Sequence, residues 1–134
     1  MITDPLSERI IGAAIKVHRA LGPGLLESTY SRCFAFELAH DGLVVEVEKP
    51  VPIIYGNIKI DNAYKIDLLV ENSIIVELKA VERIEPVHIA QLLTYLKLTN
   101  LPTGLLMNFN VPVMKDGIRR ITNLSLPHTL SPSL

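Results

Sequence analysis

The sequence predicts a mixed α/β fold in which a central mixed, largely antiparallel β-sheet is flanked by α-helices. Three observations carry that expectation. Apolar residues recur at helical spacing in three segments, from Pro5 to Leu21, from about Leu26 to His40 and from Pro86 to about Leu98. Between the second and third of these, Leu43–Ala80 alternates or runs apolar in short stretches punctuated by Pro, Gly and Asn, as hairpin-connected strands do. The third helical segment sits between two apolar runs, Ile74–Ala80 and Gly104–Phe109, and a strand–helix–strand succession implies parallel neighbours joined by a right-handed crossover.

The first helix is marked by Asp4 as N-cap, Pro5 at the first helical position and Glu8 in the first turn. Ile10, Ile11, Ala14, Val17 and Leu21 give it an inward face, and Gly22-Pro23-Gly24 stops it. Lys16, His18 and Arg19 form either a solvated face or a basic rim for a phosphate backbone. In the second helix Leu26, Tyr30, Cys33, Phe34, Glu37 and Leu38 share much of one face, and Asp41-Gly42 closes it. Glu27 lies in its first turn, where a carboxylate favours the helix dipole by about 0.3–1 kcal/mol or, alternatively, adds a third acidic group to a metal site.

Strands follow at Leu43–Lys49, Ile53–Tyr55 and Ile58–Ile60, with a turn at Gly56-Asn57. Pro50 and Pro52 each remove a ladder donor, which places their part of the chain at a sheet edge or a bend. Two further runs, Tyr64–Val70 and Ile74–Ala80, flank Glu71-Asn72-Ser73 and read as a hairpin. The last helix opens at Glu85-Pro86, with Ile89, Leu92, Leu93 and Leu96 as its apolar stripe. Gly104–Phe109 reads as a buried strand with Asn108 its one polar residue, Val111–Gly117 as a loop, and Ile118–Ile121 as a final strand with Arg119 and Arg120 exposed. One domain over residues 1–124 and a loosely held tail from Ser125 are expected.

Composition bounds the function. The chain has 134 residues, 49 % of them hydrophobic and 20 % charged, which suits a globular domain with a real core and not a disordered one. Its net charge of −1 argues against binding nucleic acid by bulk electrostatics, although a local basic groove stays open. A single cysteine, Cys33, makes no intramolecular disulfide and is expected as a buried structural thiol. There is no signal peptide and no apolar run of about 18 residues, so no membrane partner and a cytoplasmic location are expected. The surplus of Ile, Leu and Val in so small a domain makes a homodimer plausible.

The chemistry concentrates in the Tyr64–Ala80 hairpin. With Asn72 at the turn, Asp67 falls opposite Glu77, Leu69 opposite Ile75 and Lys65 opposite Lys79. One face is then Ile66, Leu68, Val70, Ile74, Val76 and Leu78, while Lys65, Asp67, Glu77 and Lys79 lie on the other. Opposed carboxylates in a sheet repel. A divalent cation between Asp67 and Glu77 would offset the repulsion, and Mg²⁺ suits carboxylate oxygens. Lys79 could stabilise charge on a phosphate or orient the attacking water. The plainer alternative is that these charges decorate the exposed side of a strand. On the last helix Gln91 and Tyr95, with His88 three residues earlier, form a polar line. It is either the wet side of that helix or a set of neutral groups able to contact phosphate.

Asp67, nine residues and then Glu77-Leu78-Lys79 resembles the metal-binding core of the PD-(D/E)xK nuclease superfamily, whose fold is a mixed sheet flanked by helices. Gln91-x-x-x-Tyr95 resembles the additional motif of that superfamily's exonuclease branch. Gly24-Leu25-Leu26-Glu27-Ser28-Thr29-Tyr30 is similar to the pattern that names the GxxExxY family, a group of small proteins assigned to the same superfamily. The resemblance spans roughly Ile10 to Phe109. It implies a restriction-endonuclease-like core in which Asp67, Glu77 and the Leu78 carbonyl ligate Mg²⁺ or Mn²⁺. Lys79 would position water and stabilise the phosphorane, Glu27 would support the metal, and Gln91 and Tyr95 would hold substrate or solvent. The implied reaction is in-line hydrolysis of DNA phosphodiesters by metal-activated water, with a non-catalytic dimeric binding module as the alternative. Ile66 stands where the superfamily's name has Pro.

Overall fold

The computed structural model describes residues 4–124; the tail expected from Ser125 lies outside the described residues. Helix α1 (Pro5–Leu21) starts as its sequence dictates, with the Asp4 carboxylate accepting the Ser7 amide at 2.7 Å and Gly22 at φ +72° ending it. The same carboxylate receives Arg120 Nη2 at 3.0 Å while Nη1 reaches Ser7 Oγ at 2.7 Å. Arg120 is therefore half-buried and ties the start of α1 to the last strand, in contrast to its expected exposure. His18 also departs from expectation: it is 6 % exposed, with Nε2 on the Val111 carbonyl at 2.7 Å, because Phe109 and the chain after it pack over that side of α1. Lys16, on the surface, pairs with Glu37 at 3.2 Å. Helix α2 (Glu27–His40) buries Tyr30, Phe34 and Leu38, one residue per turn, whereas Leu26 and half-buried Cys33 contribute less than the sequence implied.

Among the described residues five strands follow: β1 (Val45–Tyr55), β2 (Ile58–Val70), β3 (Ile74–Lys79), β4 (Thr103–Asn108) and β5 (Ile118–Thr122), in that spatial order. Of these described strands only β3 and β4 run parallel, through α3 (Pro86–Thr99); the other pairs are antiparallel. The predicted crossover and the mixed sheet are both present. The short strands expected on either side of Pro50 and Asn62 are instead two long continuous ones. Pro50 and Pro52 are accommodated because β1 is an edge strand, and the register shifts between Val51 and Ile53, across Pro52. A single 3₁₀ turn, Met114–Gly117, occupies part of the expected loop.

Helices cover both sides of the sheet, so β3 and β4 are buried on both faces and read as unbroken apolar runs. On one side Ile74, Val76 and Leu78 pack with Ile10, Val17, Tyr30 and Phe34 of α1 and α2. On the other, Ile75, Leu69 and Leu106 pack with Leu92, Tyr95 and Leu96 of α3. Phe109 stacks on Tyr30 with ring centroids 4.7 Å apart, worth about 0.5–1.5 kcal/mol beyond its burial. No helix among the described residues is long and apolar enough to cross a membrane.

The alternation reverses at one place. Ile66 belongs to the α3 side, yet Leu68, two residues on, belongs to the α1/α2 side. In β1 Val45 and Val51 are split in the same way. The cause lies opposite Asp67, where Glu48 adopts φ +51° and the ladder omits the Glu48–Asp67 pair between Val47–Leu68 and Lys49–Ile66. Ile66 is thus on the face opposite to the one its parity in a regular strand predicts. Beyond this point, among the described residues, β1 and β2 pair only with each other, and Ile54, Tyr55 and Ile58 of the resulting ribbon are more than half exposed.

Two buried glycines separate close approach from easy accommodation. A methyl at Gly117 would strike the Asn108 carbonyl oxygen, a backbone atom that cannot swing away. A methyl at Gly104 would meet the Leu92 side chain at 2.8 Å, which can change rotamer. Gly117→Ala is expected to cost about 1–3 kcal/mol and Gly104→Ala distinctly less, as read from paired urea melts. Equal losses would contradict the packing described here.

Candidate active site

The β2–β3 ladder has the register expected from the sequence, with Leu68 opposite Val76, Leu69 opposite Ile75 and Val70 opposite Ile74. It stops at Leu68–Val76. At the next position the strands part and side chains take over the role of backbone acceptors. Glu77 Oε2 accepts the Asp67 amide and Asp67 Oδ2 accepts the Leu78 amide, both at 2.8 Å. The strand amides freed by the parting are thereby satisfied, as buried amides must be. Among the described residues no hydrogen-bond donor reaches the second oxygen of either carboxylate.

The two acids sit in different depths of the fork. Glu77 is 4 % exposed and its pKa is pushed up to about 8, first by burial and then by the charge of Asp67. Asp67 is also raised, first by burial, against the opposing pull of the Leu78 amide and the Lys79 ammonium. The repulsion anticipated between opposed carboxylates is therefore expressed as a readiness to hold a proton. Lys79 is half-buried at the end of β3.

Glu27 and Glu48 complete the electrostatics. Together with Asp67, Ser28, Ser31 and Leu78 they line an open cavity of about 430 Å³ between α2 and the sheet. Glu27 raises the pKa of both Asp67 and Glu77, and Glu48 that of Asp67. Glu27 is held there by its neighbours in the Gly24–Tyr30 pattern. The Tyr30 hydroxyl donates to the Gly22 carbonyl at 2.6 Å and accepts the Leu25 amide at 3.1 Å. Buried Tyr30 thus pins the loop whose Gly24 sits at φ +97°, and the exposed first turn of α2 follows from that loop. In this chain the glycine and tyrosine of the pattern shape the backbone, and its glutamate faces the cavity.

The polar line on α3 divides. Tyr95 is 4 % exposed, not on a wet face, and its pKa is raised by burial and then by the charges of Glu77 and Asp67. Its ring lies 6.0 Å from that of Tyr64. Gln91 is half-buried one turn earlier, and its side chain makes no hydrogen bond to the described residues. His88 caps its own helix: Nδ1 accepts the Glu85 amide at 2.9 Å in a capping box. Geometry therefore brings together Asp67, Glu77, Lys79, Leu78 and Glu27, places Tyr95 within their field, and commits His88 to the end of α3. Glu48 was missed by sequence reasoning, because a glutamate in an alternating edge strand carries no mark of the left-handed backbone that turns it toward Asp67.

A five-stranded mixed sheet with helices on both faces and two carboxylates where β2 and β3 part is consistent with a restriction-endonuclease-like core. A family model confirms the class from the sequence side: the chain belongs to the PD-(D/E)XK nuclease superfamily, whose model matches residues 4–121. No curated protein and no solved structure matches the chain. Ile66, at the position of the superfamily's Pro, is fully buried against α3 and directs no polar group at the fork.

The raised pKa values fix the sign of a pH effect. An acid whose pKa is higher in the folded state favours folding while protonated, so that contribution is present below its ordinary value near 4.5 and is lost as pH rises through about 8. In metal-free buffer with EDTA, thermal stability is expected to fall between pH 5 and pH 8.5, and Glu77→Gln to flatten that fall. A profile of the same slope in both proteins would contradict the buried-proton assignment.

Proposed function

We propose that the protein is a divalent-cation-dependent nuclease that hydrolyses phosphodiester bonds of DNA. The observation that carries the reading is the fork: Asp67 and Glu77 each fix one oxygen on a backbone amide and keep the other free, side by side. Hard cations take such oxygens, and the acidic donor set fits Mg²⁺ or Mn²⁺, with the Leu78 carbonyl as a third ligand. Such a cation, when bound, lowers the pKa of water and neutralises phosphate charge. Its need is electrostatic as well. Among the described residues Glu27, Glu48 and Asp67 line the approach with Arg32 as its one cation, and buried Glu77 lies beyond them, so the acids outnumber the cation and disfavour a phosphate that lacks a further countercharge.

Within this reading Asp67 and Glu77 are the ligands. Lys79 places an ammonium where charge develops on the phosphate or where water attacks. Glu27 supports the site from α2, Tyr95 and Gln91 order substrate or solvent, and His88 holds the N-terminus of α3 from which they project. The Gly24–Tyr30 and Gln91–Tyr95 patterns support placing the chain with the GxxExxY family and the exonuclease branch, which favours DNA over RNA. Loss of the proton from Glu77 on binding makes cation affinity rise with pH.

The reading is tested by cleavage of linear and circular, single- and double-stranded DNA and of RNA, with Mg²⁺, Mn²⁺ or EDTA. Cutting that requires metal and drops about 10²-fold or more in Glu77→Ala and in Lys79→Ala is expected. Mg²⁺ should also raise the melting temperature, more at pH 8.5 than at pH 6. Metal-independent cutting equal in wild type and Glu77→Ala would overturn the assignment.

A second reading, a dimeric binding module that keeps the fold without cutting, is favoured by the β1–β2 ribbon. Ile53 faces Ile60 and Tyr55 faces Ile58 across it, and Tyr55 is 78 % exposed. On this reading sedimentation gives a dimer that Ile58→Asp dissociates while cleavage is absent throughout; a monomeric wild type would exclude it.

A further inference from the structure

Asn108 closes β4 as the polar end of an apolar strand, and it is 2 % exposed. Its partner in the parallel ladder is Lys79. One more rung would be made by backbone if β3 continued, but β3 ends at Lys79 and the Asn108 side chain makes that rung. Nδ2 donates to the Val81 carbonyl at 2.9 Å and Oδ1 accepts the Val81 amide at 3.1 Å. The same Oδ1 accepts the Asn110 amide at 3.1 Å, and the Phe109 amide donates to the Lys79 carbonyl at 2.9 Å. Asn110 Nδ2 reaches the Val81 carbonyl as well, at 3.3 Å. The chain from Lys79 to Val81 is thus stapled to the end of β4 just before it turns away toward α3. Gly117 packs against the Asn108 carbonyl so closely that no side-chain carbon fits between them.

Core packing alone does not account for this residue. The other buried positions of β4 are apolar, and a buried amide group lowers stability unless every polar atom finds a partner. Here the partners are all within two residues of Lys79 or of Asn108 itself. A lysine side chain has four free torsions, so the direction of its ammonium depends on how firmly its own backbone is held.

We infer that Asn108 is a positioning residue for Lys79, holding the Lys79–Val81 backbone so that the ammonium stays beside the Asp67–Glu77 fork. The catalytic half of this inference rests on the nuclease reading; the conformational half rests on the hydrogen bonds alone. Displacement of a reacting group by about 1 Å lowers rates by up to about 10²-fold, and Asn108→Ser is expected to lower kcat by about 10- to 100-fold with KM for DNA unchanged.

The test combines two readouts on Asn108→Ser and Asn108→Asp, each alone and with Lys79→Ala, below the melting temperature of every variant. Asp keeps the acceptor for the Val81 and Asn110 amides and lacks the donor to the Val81 carbonyl. Amide exchange without metal or DNA is expected to rise at Val81 and Phe109 in the Ser variant, with the middle of β3 unchanged. The Asp variant, whose second oxygen would face and repel the Val81 carbonyl, should also exceed wild type. In the Lys79→Ala background the kcat loss from Asn108→Ser should vanish, because both changes remove the same contribution. Unaltered exchange at Val81 and Phe109, or exchange raised uniformly through β3 and β4, overturns the inference. So does a kcat loss that multiplies in full with that of Lys79→Ala. If wild type cuts nothing, the nuclease reading falls while exchange still decides whether Asn108 holds this segment. Should Asn108→Ser fail to fold, Asn108→Asp carries both readouts.

Discussion

The structure depends on one exchange of hydrogen-bond partners. Where β2 and β3 part, the backbone acceptors that a continuing ladder would supply are replaced by the carboxylates of Asp67 and Glu77, each on an amide of the other strand. That exchange lets a sheet open without orphaning buried donors. It also forces two anionic groups into a shielded position. A purely structural solution would continue the ladder with apolar side chains, as the same strands do from Leu68 to Val70 and from Ile74 to Val76. Two acids at the opening, each with one oxygen on an amide, are the feature on which the proposed cation site rests.

The elements around the fork act on it from three directions. From above, Tyr30 pins the Gly22–Leu25 loop and so sets where α2 begins and where Glu27 stands. From the edge, the left-handed backbone at Glu48 breaks the β1–β2 ladder opposite Asp67 and reverses the faces of both strands. Local strain of that kind at a non-glycine residue persists only where the surroundings enforce it, and here two long strands do. From below, Tyr95 on α3 feels both acids while its ring is buried. The helices make the core, and the first turns of α2 also furnish one wall of the cavity.

Much of this was legible in the sequence because the relevant signals are local. Asp4-Pro5, Gly22, Gly56-Asn57 and Glu85-Pro86 mark element ends by the backbone chemistry they require, and all four fall where the structure has an end. The hairpin register could be read because Glu71-Asn72-Ser73 fixes the turn and apolar parity fixes the rest. What escaped is non-local. Parity assigns Ile66 to the wrong face because nothing near it in sequence announces the break that Glu48 imposes from the neighbouring strand. His18 and Arg120 look like surface charges until the chain after Phe109 and the start of α1 close over them. Tyr95 reads as part of a polar line, yet a tyrosine can bury its ring and keep its hydroxyl toward a polar group, and that choice is made by packing.

The charge pattern resolves an apparent conflict between composition and family. A net charge of −1 is a poor match to a polyanion when averaged over the surface, and the cavity itself is more acidic than the average. The acids are not a barrier if a cation is part of the binding surface, because each carboxylate that repels a phosphate alone attracts the ion that a phosphate requires. Burial sharpens this dependence. With Glu77 held near a pKa of about 8 the site relaxes to a protonated, less charged state when no cation is present, which keeps the folded protein stable. On the proposed reading a cation would displace that proton to bind, which would couple its occupancy to pH through Glu77. On the nuclease reading, a chain with so little surplus positive charge would recognise nucleic acid through that coupling and through the cations nearest the acids, Lys79 and the cavity-lining Arg32.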